Sequence, residues 1–155
     1  MVRDPSTVDE PTSPGSGRAD RGDGAAGDHL LLTILHHPRS ALVGLQAQVG
    51  CILGGAPAAL SRSAPLFRSP GQGGDGLPLG DPRVSRRPAW LRVIDQALEF
   101  TPSAGSTSYR VGGGEIDEPR RWPLRELAGP GLLLDVGGVI LLWLHLATRT
   151  TPGTP

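Results

Sequence analysis

The apolar residues of this chain come in short runs, and glycine, proline or a small polar group stands between one run and the next. Residues 30–35 read Leu-Leu-Leu-Thr-Ile-Leu and stop at His36-His37-Pro38. Cys51-Ile52-Leu53 stops at Gly54-Gly55, and Ser108-Tyr109-Arg110-Val111 stops at three glycines. Runs of that length suit strands, whereas an amphipathic helix needs roughly ten or more residues of helical periodicity to hide a face. With 23 glycines and 16 prolines among 155 residues, little of the chain offers such a stretch. The expected class is all-β.

Ala58-Ala59-Leu60-Ser61-Arg62 reads as a strand running into a loop, and residues 39–50, with Leu42, Val43, Leu45 and Val49, read as another strand. Residues 68–81 are rich in glycine and proline and suggest a long, mobile loop. Trp90-Leu91-Arg92-Val93-Ile94 and Ala97-Leu98-Glu99-Phe100-Thr101 form two strands about an Asp95-Gln96 turn, and residues 124–127 suggest a short turn. Residues 131–147 admit two readings. A membrane helix there would be barely long enough and would contain Asp135 and the Gly137-Gly138 pair. A β-hairpin accounts for every residue: two apolar runs flank Asp135-Val136-Gly137-Gly138, and β-branched and aromatic residues enrich the second run. The hairpin is the better reading.

Many short strands with turns between them predict a two-sheet, mainly antiparallel β-sandwich over residues 30–148. Residues 1–29 are rich in Pro, Gly, Ser, Asp and Arg and hold almost nothing to bury, so a disordered tail is expected there, as at residues 149–155. Arg21-Gly22-Asp23 in that tail reads as a chance triplet.

All 15 basic residues are arginine, and the chain has neither lysine nor asparagine. The codons of both begin with two adenines, so a GC-rich coding sequence explains the gap. A P-loop without its lysine and a Schiff base without an amine are both excluded. The 15 acidic residues balance the 15 arginines, so no global field draws the chain to nucleic acid or to an anionic membrane. Cys51 stands alone, so no internal disulfide or cysteine-rich zinc site can form, which fits a cytoplasmic location. The first 27 residues contain no apolar signal core, which fits the same location. No nucleophile–base spacing, metal cluster or cofactor fingerprint supports an enzyme, so no cofactor and no metal are expected. His36-His37 lacks a matched third ligand and reads as a satisfied strand end. Trp90, Trp122 and Trp143 read as core and edge packing.

Three pieces remain: Leu60-Ser61-Arg62, then residues 81–89 reading Asp-Pro-Arg-Val-Ser-Arg-Arg-Pro-Ala, then Gly105-Ser106-Thr107-Ser108. In that order they resemble the phosphopeptide-binding loops of forkhead-associated (FHA) domains, over roughly residues 30–147. The family signature is Gly-Arg after one strand, Ser-x-x-His in a following loop and Asn-Gly in a later one. Arg62 matches, with Ser61 where glycine is usual. Ser85 matches, with Pro88 where the loop-bracing histidine is usual. Gly105-Ser106-Thr107 resembles the usual Gly-Ser-Thr, and Ser108-Tyr109 replaces Asn-Gly. Leu32-Thr33-Ile34-Leu35-x-His37-Pro38 and Pro78-Leu79-Gly80-Asp81-Pro82 resemble, more narrowly, the amino-terminal FHA domain of sigma-54-dependent transcriptional activators from GC-rich bacteria, where a proline at the position of Pro88 is at home. In those activators an ATPase domain and a helix-turn-helix domain follow, so this chain would be a stand-alone or truncated sensory module.

The resemblance implies a non-enzymatic module that binds a phosphothreonine-containing protein or peptide through Arg62, Ser85, Arg86, Thr107 and Ser108, in association with a transcription regulator. Arginine offers a planar fork to phosphate oxygens, and hydroxyls add short hydrogen bonds. The departures at Pro88 and Ser108 leave a second reading open, a degenerate FHA fold that docks or dimerises without phosphate. A third is a small protein anchored in the membrane through residues 131–147.

Overall fold

In the computed structural model of the chain, residues 29–51 and 56–147 are described. Residues 1–28, with the Arg-Gly-Asp triplet, residues 52–55 and residues 148–155 lie outside the described residues, and His29, expected as the last residue of the tail, opens the first strand. The alternating apolar runs build two sheets. The first has six strands in the order β2 (Gln46–Cys51), β1 (His29–His36), β10 (Ile140–Ala147), β9 (Leu132–Val136), β6 (Tyr109–Val111) and β7 (Gly114–Glu115). The second has four, in the order β3 (Ala58–Leu60), β4 (Ala89–Ile94), β5 (Ala97–Thr101) and β8 (Arg120–Pro123). All of the strand pairings are antiparallel. The expected two-sheet sandwich is the fold found.

Period-two alternation sends every second side chain into the space between the sheets. Leu30, Leu32 and Ile34 of β1 face inward with Leu132, Leu134 and Val136 of β9 and Ile140, Leu142 and Leu144 of β10. Ala89, Leu91, Leu98 and Phe100 meet them from the second sheet, and Tyr109 joins from β6. Each fully buried leucine or phenylalanine contributes about 1.5–3 kcal/mol. A one-residue slip would turn the whole set outward, so this burial also fixes the register.

The two hairpins follow local chemistry. Asp95 and Gln96 both take positive φ, 51° and 63°, the geometry of a two-residue turn whose twist matches its strands. Between β9 and β10 the Gly138 N–H donates to Asp135 Oδ1 at 2.9 Å, closing the turn read from the sequence. Among the described residues no helix is long and apolar enough to cross a membrane.

Other segments differ from expectation. Residues 39–50 are not one strand. Leu42 is buried from a single 3-10 turn, Ser40–Leu42, and β2 begins only at Gln46. Residues 120–123, which show no apolar alternation, form edge strand β8, held to β5 partly by ions. Glu99 lies opposite Arg92 on one side and Arg121 on the other, and its carboxylate accepts from both guanidinia at 3.1 and 3.2 Å. Residues 124–127 belong to a short helix, α1 (Leu124–Ala128), that buries Leu127.

The largest departure concerns residues 61–88, which join β3 to β4 without a strand. Phe67, Leu79 and Val84 from this connection are buried in the core. Single antiparallel bridges tie Phe67 to Leu77 and Arg68 to Gln46 at the start of β2. The glycine- and proline-rich composition suggests a mobile loop, and the buried anchors pin it. The tryptophans are peripheral rather than central. Trp90 is 41% exposed, Trp122 packs against the edge of the core, and Trp143 lies on the outer face, stacked on His145 with its Nε1–H donated to Pro130 O.

Candidate functional site

Arg62 lies two residues past the end of β3, and both its main chain and its side chain grip the connection to β4. Its N–H donates to Ser85 O at 3.0 Å, and its carbonyl accepts from Gly80 N–H at 3.0 Å. The guanidinium donates from Nε to Val84 O at 2.9 Å and from Nη2 to Pro82 O at 3.0 Å. Arg62 is therefore a clamp on residues 80–85, and its Nη1 group has no partner among the described residues.

The clamped segment is stiffened from within. Asp81 is 6% exposed and accepts three bonds from Arg83: the N–H at 2.8 Å, Nε at 3.0 Å and Nη2 at 3.1 Å. The Arg83 side-chain bonds hold the Asp81 carboxyl below its ordinary range, with burial opposing them. Ser85 Oγ accepts the Arg87 N–H at 3.0 Å and so turns the chain at the residues next to it. Beneath the segment, His37 Nε2–H donates to Leu79 O at 2.8 Å while Nδ1 accepts the Arg39 N–H at 2.9 Å. Both His37 nitrogens are thus spent, the satisfied strand-end role expected of it. Pro88 offers no donor, and the loop is braced by Arg62 and His37 instead.

Two further loops join at the carbonyl of Arg83. Thr107 Oγ1 donates to Arg83 O at 3.2 Å, and the Gly137 N–H donates to Ser108 O at 2.7 Å. Gly137 is at φ +65°, and a Cβ there would lie 3.1 Å from Arg83 O, so both conformation and space favour glycine. The loop after β5 is anchored by Tyr109, whose hydroxyl pairs with Ser103 Oγ at 2.7 Å and whose ring meets Phe100 edge-on at 5.1 Å. Burial raises the Tyr109 phenol above its ordinary value, so it stays neutral.

These contacts leave an open groove of about 650 Å³ at one end of the sandwich. Arg62, Ser85, Arg86, Thr107 and Ser108 all line it, so the structure brings together every candidate read from the sequence. Arg83, Arg87, Gly105, Ser106 and Gly137 line it as well, and no carboxylate does. Arg86 and Arg87 are exposed, and among the described residues their side chains have no hydrogen-bond or ion-pair partner. Sequence reading did not reveal the carbonyl contacts of Arg62, because their acceptors lie 20 and 22 residues away. The Asp81–Arg83 pair had a visible signal, an Asp-x-Arg spacing across a proline.

The depressed carboxyls give a pH prediction. Glu99 is held low like Asp81, by the side-chain bond from Arg92 first, with burial opposing and Arg121 adding to the effect. A carboxyl with a lower pKa folded than unfolded stabilises the fold above the unfolded value, and that contribution is lost as pH falls through the folded one. The melting temperature should therefore drop between about pH 5 and about pH 3. The drop should be smaller in Asp81→Asn, and an identical drop in that variant would show that Asp81 carries none of the effect.

No family model matches the sequence, and no curated protein does. Solved structures match the fold. The FHA domain of a hypothetical protein from Arabidopsis thaliana aligns with a TM-score of 0.57 at 12% identity, over 83% of this chain and 93% of that one. An FHA domain from Chlamydia trachomatis aligns with a TM-score of 0.51 at 16% identity, over 76% of this chain and 96% of that one. At such identities the likeness is one of fold. This chain has the β-sandwich fold seen in FHA domains.

Proposed function

We propose that the groove binds the phosphate of a phosphothreonine on a partner protein or peptide. The observation that carries this reading is the composition of the groove: guanidinium and hydroxyl groups from the β3–β4 connection and hydroxyls from the loop after β5 converge on a surface lined by no carboxylate. Arg86 and the unspent Nη1 of Arg62 supply charge, and the hydroxyls of Ser85, Thr107 and Ser108 supply short hydrogen bonds. Each charge-assisted bond contributes about 1.5–3 kcal/mol before desolvation. A few of them support micromolar affinity, on the order of −8 kcal/mol.

The same lining supports binding over catalysis. It contains no histidine or carboxylate to activate a hydroxyl, and Ser85 Oγ already accepts a backbone N–H. The sequence resemblance to the amino-terminal domains of sigma-54-dependent activators extends the proposal to a cytoplasmic signalling role, with a transcription regulator as the associated protein.

Calorimetric titration with a degenerate phosphothreonine library and its unphosphorylated counterpart tests the reading. The phosphorylated library should bind, more weakly as salt is added, and the counterpart should not. Equal binding of both would replace a phosphate reader with a docking surface indifferent to phosphate.

A further inference from the structure

The two sheets turn different outer faces to solvent. An antiparallel sheet packed on one side ordinarily carries polar residues on the other. On the outer face of the second sheet, Arg92 and Arg121 flank Glu99 in paired charges. The first sheet departs from that rule. Its outward positions carry Leu31 and Leu35 on β1, Leu141 and Trp143 on β10, and Leu133 on β9. Leu133 lies directly across from Trp143, and the three strands are neighbours, so these side chains form one patch rather than scattered exceptions. Leu35 is 42% exposed and Leu133 49%. A contiguous exposed patch of this kind marks an interaction surface.

Polar groups within the patch are spent inside the chain. Trp143 Nε1–H donates to Pro130 O at 3.0 Å, and Asp135 Oδ1 accepts the Gly138 N–H at 2.9 Å. Thr33 Oγ1 accepts from Gln46 Nε2 at 3.1 Å and pairs with His145 Nε2 at 3.3 Å. None of the 15 arginines lies on β1, β9 or β10. A surface with so little free charge or hydrogen-bonding capacity is complementary to another of its own kind. The chain has a formal net charge of zero, so a second copy meets no long-range repulsion on approach.

We infer that the outer face of the six-stranded sheet joins two copies of this chain in a symmetric dimer. Two-fold pairing sets the same patch of each copy against the other, and sheets pack face to face at about 30°. Three strands about 4.8 Å apart, over five residues rising about 3.3 Å each, give a footprint of about 250 Å². Standard interfaces bury about 800 Å² per partner, so the dimer is a weak one, with a dissociation constant on the order of 100 μM. The face shares no residue with the groove, so the inference stands apart from the phosphate-binding reading.

Sedimentation equilibrium of the full-length chain, from about 10 μM to about 1 mM, tests it at concentrations either side of that constant. Wild type should pass from mostly monomer to mostly dimer. Leu133→Arg and, separately, Leu35→Glu place like charges on both halves of the interface and should each weaken association at least about tenfold. Trp90→Arg, a change at a 41% exposed residue of the other sheet, should leave it unaltered. All three sites are exposed, and matching melting temperatures would check that the variants fold. A wild-type chain that stays monomeric throughout overturns the inference and leaves the face to a partner of different sequence. Dimerisation undiminished in both Leu133→Arg and Leu35→Glu overturns it as well, by placing the interface elsewhere.

Discussion

Phe67→Ala is expected to cost the domain about 3–5 kcal/mol, because it empties a fully buried aromatic site whose walls cannot fully collapse. Domains of this size are stable by only about 5–15 kcal/mol, so the variant should lose a large fraction of its stability and melt at a much lower temperature. Leu66→Ala is the matched comparison. Leu66 is 45% exposed, and its truncation should change stability by less than about 0.5 kcal/mol. Denaturant titration of both variants reads the difference directly. If Phe67→Ala unfolded at the wild-type midpoint, residues 61–88 would be an ornament on the sandwich rather than part of its core.

The second large effect is expected at Arg62. Arg62→Ala removes two charge-assisted bonds to carbonyls at 2.9 and 3.0 Å and one positive charge from the groove. Phosphopeptide affinity should fall by about a hundredfold, equivalent to roughly 2.7 kcal/mol. Arg62→Lys keeps the charge, but one ammonium cannot copy a planar fork, so an intermediate loss of about tenfold is expected. A consequence without ligand separates the clamp from a simple contact. The Val84 N–H, which donates to Asp81 O inside the clamped turn, should exchange with solvent faster in Arg62→Ala than in wild type. Unchanged exchange together with lost binding would make Arg62 a ligand contact only, and unchanged binding would remove it from the site.

The parts of this structure legible in the sequence are those whose cause is local. The β9–β10 hairpin is visible because Asp135, Gly137 and Gly138 carry the turn chemistry themselves. The inward face of β5 is visible because alternation is written into consecutive residues, and β1 is visible as a short apolar run closed by His36-His37-Pro38. What stayed hidden has its cause elsewhere in the chain. Arg120-Arg121-Trp122-Pro123 shows no strand pattern, and it becomes a strand by pairing with β5, where Glu99 lies across from Arg121 and Trp122 packs against the core. Phe67 sits among prolines and glycines that advertise a loose loop, and only the assembled core makes it an anchor. The candidate site shows the same division. Its residue types were readable from the resemblance in three loops, whereas the grip of Arg62 on Val84 and Pro82 and the brace from His37 exist only after folding.

The anchoring of residues 61–88 also sets the cooperativity of the groove. A surface loop ordinarily opens on its own, at a small fraction of the free energy needed to unfold the whole molecule. Here Arg62, Ser85 and Arg86 lie on a segment that cannot leave without extracting Phe67, Leu79 and Val84 from between the sheets. Opening of the recognition surface and unfolding of the sandwich are then one event. Core substitutions far from the groove should lower apparent affinity only through the fraction of molecules folded, with the intrinsic constant untouched. Ligand, in turn, should protect the most deeply buried amides of both sheets as strongly as those at the groove.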